Sequence, residues 1–197
     1  MSETLTTSAP RAVGLGPGRL ILVVGPSGAG KDTLLGLAKI ACAEDRDIVF
    51  PRRLVTREAS QSEDNEYLSA DAFGQALARG DFAMHWEAHG HRYGLPRTID
   101  DDVRAGRTVV VNVSRTVIGE MRRAYANVVV VSITAPSDVL AERLAMRARG
   151  SDGKLEHRLQ RSIADGSAPD ATIVNVGSAE PHARRLVRII KGKQPED

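Results

Sequence analysis

Nine consecutive residues, Gly25-Pro26-Ser27-Gly28-Ala29-Gly30-Lys31-Asp32-Thr33, bring glycine, lysine and oxygen-bearing side chains together at a spacing that suits an anion. An apolar run at 20–24 precedes them and a helical pattern follows. That is the strand, glycine loop and helix order in which a phosphate-binding loop makes physical sense. The glycines let the backbone wrap so that successive N–H groups point inward. The helix that begins near Lys31 adds the positive end of its dipole, and the Lys31 ammonium reaches the outer phosphates. The usual pattern closes on Lys-Ser or Lys-Thr. Here Asp32 stands in the hydroxyl position and Thr33 comes one residue late.

A second set of chemistry-bearing residues lies far along the chain. Arg143 and Arg147 are four apart on one predicted helix, with Arg149 just beyond, and neither of the first two has an acidic residue three or four positions away. Like charges at that spacing repel by a few tenths of a kcal/mol, and an anion supplied from elsewhere relieves the repulsion. Gly150-Ser151-Asp152-Gly153 suits a mobile hinge, and Arg158 lies on the next predicted helix. An arginine-rich flap that closes over a transferring phosphate supplies charge stabilisation and water exclusion, the main needs of phosphoryl transfer. The plainer reading of the same pattern is a solvated basic helix face. His85, Glu87, His89 and His91 alternate and would share one face of a strand, as a metal site requires. Gly90 interrupts that strand, and alternation also places polar residues on any solvent-facing strand, so no metal ligand is assigned.

The elements that must position these groups alternate in type. Strands are predicted at 20–24, 48–55, 108–113, 128–133 and 171–174, and helices at 70–79, 96–105, 116–124, 137–148, 155–163 and 181–190. Leu34, Leu37, Ala38 and Ala41 recur on one face of the helix after the loop, and Pro96 is placed near the first turn of its helix. The runs at 108–113 and 128–133 are continuously β-branched, as in strands buried on both faces. Strands alternating with helices imply an α/β fold with a parallel sheet covered on both sides. The segment 56–95 breaks the rhythm and reads as an inserted subdomain, extended over 82–93.

Composition narrows the function classes. The 197 residues are 42% hydrophobic and 26% charged with a net charge of +2, as expected of one soluble domain. That charge is too small to argue for nucleic acid or a membrane surface as partner. Cys42 is the only cysteine, which excludes an intrachain disulfide and suits a buried thiol. No stretch approaches the roughly 18 apolar residues of a spanning helix. The first ten residues carry neither a basic nor an apolar signal region. The expectation is a cytoplasmic protein with a disordered tail over 1–18 and a short tail over 192–197.

The order of the loop at 25–31, Thr56-Arg57, Gly80-Asp81-Phe82, Gly90-His91-Arg92-Tyr93-Gly94 and the arginines 143, 147, 149 and 158 resembles the guanylate-kinase-type nucleoside monophosphate kinases over about 19–191. Within that group, Gly-Pro-Ser-Gly-Ala-Gly-Lys-Asp, Val55-Thr56-Arg57-Glu58-Ala59-Ser60 and Val111-Asn112-Val113-Ser114-Arg115 are most similar to the ribose 1,5-bisphosphate phosphokinase branch, which also carries aspartate at the position of Asp32. The resemblance implies a P-loop NTPase three-layer sandwich with a single kinase domain. It would have an acceptor-binding insertion at about 56–95 and an Arg-rich lid at about 147–156.

The same resemblance implies ATP as donor, magnesium carried on its phosphates and ribose 1,5-bisphosphate as acceptor, with PRPP and ADP as products, in phosphonate breakdown. It implies that residues 25–33 hold the ATP phosphates and that Lys31 follows the transferring group. Arg143, Arg147 and Arg149 would close over it, and Arg158 would bridge towards the acceptor. Arg57, Tyr67 and Tyr93 would hold acceptor phosphate, and Asn112, Ser114 and Arg115 would face the ribose or its 5-phosphate.

Two alternatives stay open: guanylate kinase itself, acting on GMP, and a non-catalytic scaffold of the same fold. Guanylate kinases read the guanine edge with a glutamate where this chain aligns Met84. They carry an Asp-x-Asp pair where it has Asn112-Val113-Ser114, and a second phosphate-binding arginine where it has Ser60. A base reader needs fixed hydrogen-bonding groups, so these departures favour a phosphorylated sugar without a base. Oligomeric state is left open, a homodimer included.

Overall fold

The computed structural model describes residues 14–57, 64–148 and 168–193. Five parallel strands form the central sheet: β1 (Arg19–Val24), β2 (Ile48–Val49), β7 (Thr108–Asn112), β8 (Val128–Thr134) and β9 (Ala171–Val174), in the order β2-β7-β1-β8-β9. Both faces of β1 are covered, which is why it reads as an unbroken apolar run. Ile21 and Val23 pack under α1 (Lys31–Ala41) and α6 (Ala179–Ile190), against Leu34, Ala38, Leu186 and Ile190. Leu20, Leu22 and Val24 face the other side. There they meet Ile99 and Val103 of α3 (Thr98–Arg104) and Ile118 and Met121 of α4 (Ile118–Ala124), which a 3-10 turn at Arg115–Val117 precedes. Where helical spacing places Ala41 on the buried face of α1, the structure exposes it. Cys42, the C-cap, takes that place at 3% exposure, and burial pushes its thiol pKa up.

The predicted strand at 48–55 is two strands. Only Ile48 and Val49 pair with β7. Pro51 cannot donate to a ladder, and the chain leaves the parallel sheet there for a second sheet of four strands. That sheet has the order β4 (Asn65–Tyr67), β3 (Arg53–Val55), β6 (His91–Pro96) and β5 (Phe82–Ala88). The extended segment 82–93 is the β5–β6 hairpin, turned at His89 and Gly90 with φ of 54° and 75°. Pro96 ends β6 rather than opening a helix, and α3 starts at Thr98.

One face of the second sheet presents Val55, Met84, Trp86, Tyr93 and Leu95 to the core beneath the parallel sheet. The other carries α2 (Ala70–Arg79), through a stack of Phe73 on Phe82 with centroids 4.5 Å apart. Among the described residues no helix is long and apolar enough to cross a membrane. The predicted helix at 155–163 and most of the lid segment lie outside the described residues.

Gly94 sits under the Phe82 ring, where an added Cβ would fall 2.5 Å from a ring carbon. Gly94→Ala therefore lowers unfolding stability by about 1–3 kcal/mol through overpacking, measured by urea denaturation. A loss of under about 0.5 kcal/mol, the range of an ordinary surface substitution, would show that the ring gives way freely.

Candidate active site

The parallel strands end at a common edge, and the phosphate-binding loop lies on it, the usual position for ligands in open α/β sheets. β1 ends at Val24, in register with Ser132 of β8, and Val23 is in register with Asn112 of β7. Gly25 then passes so close to β8 that a Cβ there would lie 1.9 Å from the Ile133 carbonyl oxygen. Gly25, Gly28 and Gly30 all have positive φ, at 144°, 84° and 83°. Gly30 is the N-cap of α1 and supplies no side-chain cap. The N-terminus of the helix, where an α-helix leaves its first N–H groups without intrahelical acceptors, thus opens directly from the loop.

Lys31 Nζ donates to the carbonyl oxygens of Gly25 and Pro26, both at 2.8 Å, which holds its charge over the loop. Asp32 has a partner that its sequence position did not suggest: the side-chain amide of Asn112 donates to its Oδ1 at 3.1 Å. Thr33 is exposed beside it. A carboxylate and a hydroxyl at this point are the oxygen donors that suit magnesium and its waters.

Arg143 on α5 (Ser137–Ala148) reaches the far rim. Its Nη1 donates to the Gly28 carbonyl at 3.4 Å and its Nη2 to the Asn175 carbonyl at 3.2 Å. Asn175, only 4% exposed, follows β9. Its backbone N–H donates to Thr134 O at 2.7 Å and its Nδ2 to Ala29 O at 2.8 Å, so it buttresses the loop from below. Its Oδ1 is buried with no hydrogen-bond partner among the described residues. An open cavity of about 390 Å³ lies alongside, lined by Gly28, Gly30, Thr33, Arg143, Met146, Asn175, Gly177 and Ala179. It has room for the nucleoside part of a nucleotide whose phosphates fill the loop.

The predicted acceptor residues spread across the second sheet. Thr56 exchanges two hydrogen bonds with the Arg92 backbone, at 3.0 and 2.9 Å, which fixes the chain just before the half-buried Arg57. Tyr67 and Tyr93 are both in register with Val55 and share its face of the sheet. They differ in setting: Tyr67 is 53% exposed, whereas Tyr93 is buried and stacked on Trp86 with centroids 5.5 Å apart. Ser114 caps the 3-10 turn, accepting from Thr116 N–H at 3.4 Å and Thr116 Oγ1 at 2.9 Å, and Arg115 is exposed.

Arg147 lies in the last turn of α5, and its side chain, Arg149 and Arg158 lie outside the described residues. Met84 is 5% exposed within the core. His85 and Glu87 are on the exposed face, Glu87 paired with Arg92 at 3.1 Å, and His89 is in the turn. No group of three or more metal-ligating side chains gathers among the described residues.

Two residues of the site carry little or no local signal in the sequence or a signal easily passed over. Asn175 has no distinctive pattern around it. Arg53 has one: it stands two before Val55 and four before Arg57, hence on one face of an extended segment. Its Nε donates to Asn65 Oδ1 and its Nη1 to the Asn112 carbonyl, each at 3.1 Å.

The fold and the loop define a class, and comparison with known proteins agrees. The family model described as Guanylate kinase matches residues 17–191. A crystal structure of guanylate kinase from Anaplasma phagocytophilum has the same fold, with a TM-score of 0.63 at 24% identity over 90% of this chain and 86% of that one. The narrower kinship lies with ribose 1,5-bisphosphate phosphokinases named PhnN. One from Bradyrhizobium diazoefficiens is 63% identical over 98% of each chain, and one from Rhodopseudomonas palustris is 62% identical over 92% of this chain and 93% of that one. The chain belongs to this branch of the guanylate kinase family.

Lys31→Ala is expected to lower kcat by about 10²–10³, the scale of one lost charge-stabilising contact at a transferring group, with the circular dichroism spectrum unchanged. Near-normal turnover would mean that the loop does not hold the donor.

Proposed function

We propose that the chain transfers the γ-phosphoryl group of ATP to the 1-phosphate of ribose 1,5-bisphosphate, giving 5-phospho-α-D-ribosyl 1-diphosphate and ADP. The observation that carries this reading is the pairing of a complete phosphate loop with an acceptor side that has no base reader at position 84. The Met84 side chain is packed among core residues, so it offers no hydrogen bond to a guanine edge. The PhnN names of the relatives support the same acceptor.

The chemistry then needs little from the protein beyond alignment and charge. The nucleophile is a non-bridging oxygen of the acceptor's 1-phosphate. Its bond to the γ-phosphorus forms as the bond to the β-phosphate oxygen breaks, and that electron pair leaves with ADP. A phosphate with a second pKa near 6 is largely dianionic at pH 7, so no general base is required. The work is to bring two anions into line and offset their repulsion.

Loop N–H groups and Lys31 hold the donor phosphates. Arg143, already on the rim of the loop, turns its guanidinium from the Gly28 and Asn175 carbonyls towards them. Arg147, Arg149 and Arg158 join it from the lid, and Arg57 with Tyr67 and Tyr93 receives acceptor phosphate. Asn112, Ser114 and Arg115 face the ribose end. Asp32 and Thr33 would hold the waters of a magnesium ion carried on the ATP phosphates, which would supply further charge neutralisation there. The proposed setting is cytoplasmic, with a small phosphorylated sugar as partner.

The expected kcat/KM for ribose 1,5-bisphosphate exceeds that for GMP by about 10² or more, the scale set by a missing base contact. Strong GMP turnover without turnover of the bisphosphate would overturn the assignment. Because the reactive form is the deprotonated phosphate, kcat/KM for the bisphosphate is expected to fall about tenfold per pH unit below about pH 6. A profile that stays flat a full unit below that pKa would require a different nucleophile.

A further inference from the structure

Arg53 is a half-buried charge that the proposed reaction does not use, and its contacts connect the second sheet to the end of β7. β2 pairs with β7 only as far as Val109. Beyond that point the chain leaves at Pro51, and the Arg53 side chain returns to the same edge of β7, where its Nη1 donates to the main-chain carbonyl of Asn112 at 3.1 Å. Its Nε donates to Asn65 Oδ1 on β4 at 3.1 Å, and its guanidinium lies 5.8 Å from the Tyr93 ring centroid on β6. Asn112 in turn donates from its side chain to Asp32 Oδ1, in the first turn of the loop helix. Two successive hydrogen bonds therefore run from the second sheet, through the end of β7, to the phosphate loop.

We infer that Arg53 is a positioning residue for the phosphate donor: it holds Asn112 where Asn112 can hold Asp32, and so ties the second sheet to the loop. A planar guanidinium can span Asn65 and Asn112 at once, whereas the single ammonium of lysine cannot reproduce that fork. By linkage, a ligand whose binding to the second sheet alters donor affinity has its own affinity altered by the donor by the same factor. The inference rests on the loop's binding a nucleoside triphosphate and is independent of the acceptor's identity.

The test is calorimetric titration of the full chain with a non-hydrolysable ATP analogue and magnesium, with melting temperatures alongside. The proteins are wild type, Arg53→Met, Arg53→Lys, Asn112→Ala and the double variant Arg53→Met with Asn112→Ala. Arg53→Met is expected to weaken analogue binding about fivefold or more, the lower end of typical coupling between sites. Arg53→Lys should lie closer to Arg53→Met than to wild type. In the Asn112→Ala background the Arg53→Met effect should shrink to under about twofold.

Unchanged analogue affinity in Arg53→Met, whatever its melting temperature, would overturn the inference, since a purely structural role moves only stability. An equal loss with and without Asn112 would overturn it too. Should Arg53→Met fail to fold, unchanged affinity in Arg53→Lys overturns the inference in its place. Absence of binding to wild type would overturn the donor-loop reading itself, a result distinct from the other two.

Discussion

The close approach of residue 25 to the Ile133 carbonyl is the constraint on which the site depends. No side chain fits there, so the chain can leave β1 and turn directly over the end of β8. That turn delivers Gly28 and Gly30 to positions where the backbone curls, and it starts α1 directly from Gly30. Asn175 then fills the space beneath. A Cβ on Gly30 would lie 2.4 Å from its Nδ2, so the buttress and the glycine require each other. The proposed anion site rests mainly on this main-chain geometry, with the Lys31 ammonium held over the loop by the Gly25 and Pro26 carbonyls.

Around this centre the molecule separates holding from reading. The parallel sheet is packed on both faces. The second sheet leans on it through an apolar face of Val55, Met84, Trp86 and Tyr93, with Arg53 and Arg57 half-buried and Tyr67 exposed. In a base-reading relative a carboxylate would have to project from the position that Met84 fills with thioether and methylene. On the proposed reading, packing contributes to specificity alongside hydrogen bonding, because the buried Met84 supports the sheet and offers a guanine edge no hydrogen bond.

Much of this was legible in the residues themselves. The loop and the β-branched runs follow from strong local patterns, three glycines at fixed spacing and continuous Val and Ile, and the helix expected at 70–79 is α2. What escaped depended on distance in sequence. Nothing near 48–55 says that one half joins β7 and the other half a different sheet; only Pro51 hints at it. Asp32 read as a departure from the usual loop, and its meaning lies 80 residues away in Asn112. Tyr67 and Tyr93 read alike by type, yet one is exposed and the other is stacked on Trp86, a difference that only the edge position of β4 and the inner position of β6 create.

The proposed reaction places the transferred group on the 1-phosphate of a sugar that carries no base. Phosphorus NMR of the reaction with ATP and ribose 1,5-bisphosphate tests it most directly. The expected result is that the 1-phosphate signal is replaced by a pair of mutually coupled diphosphate signals, while the 5-phosphate signal persists and ADP accumulates in equal amount. Release of inorganic phosphate from ATP with both acceptor signals unchanged, or a diphosphate formed at the 5-position, would contradict it.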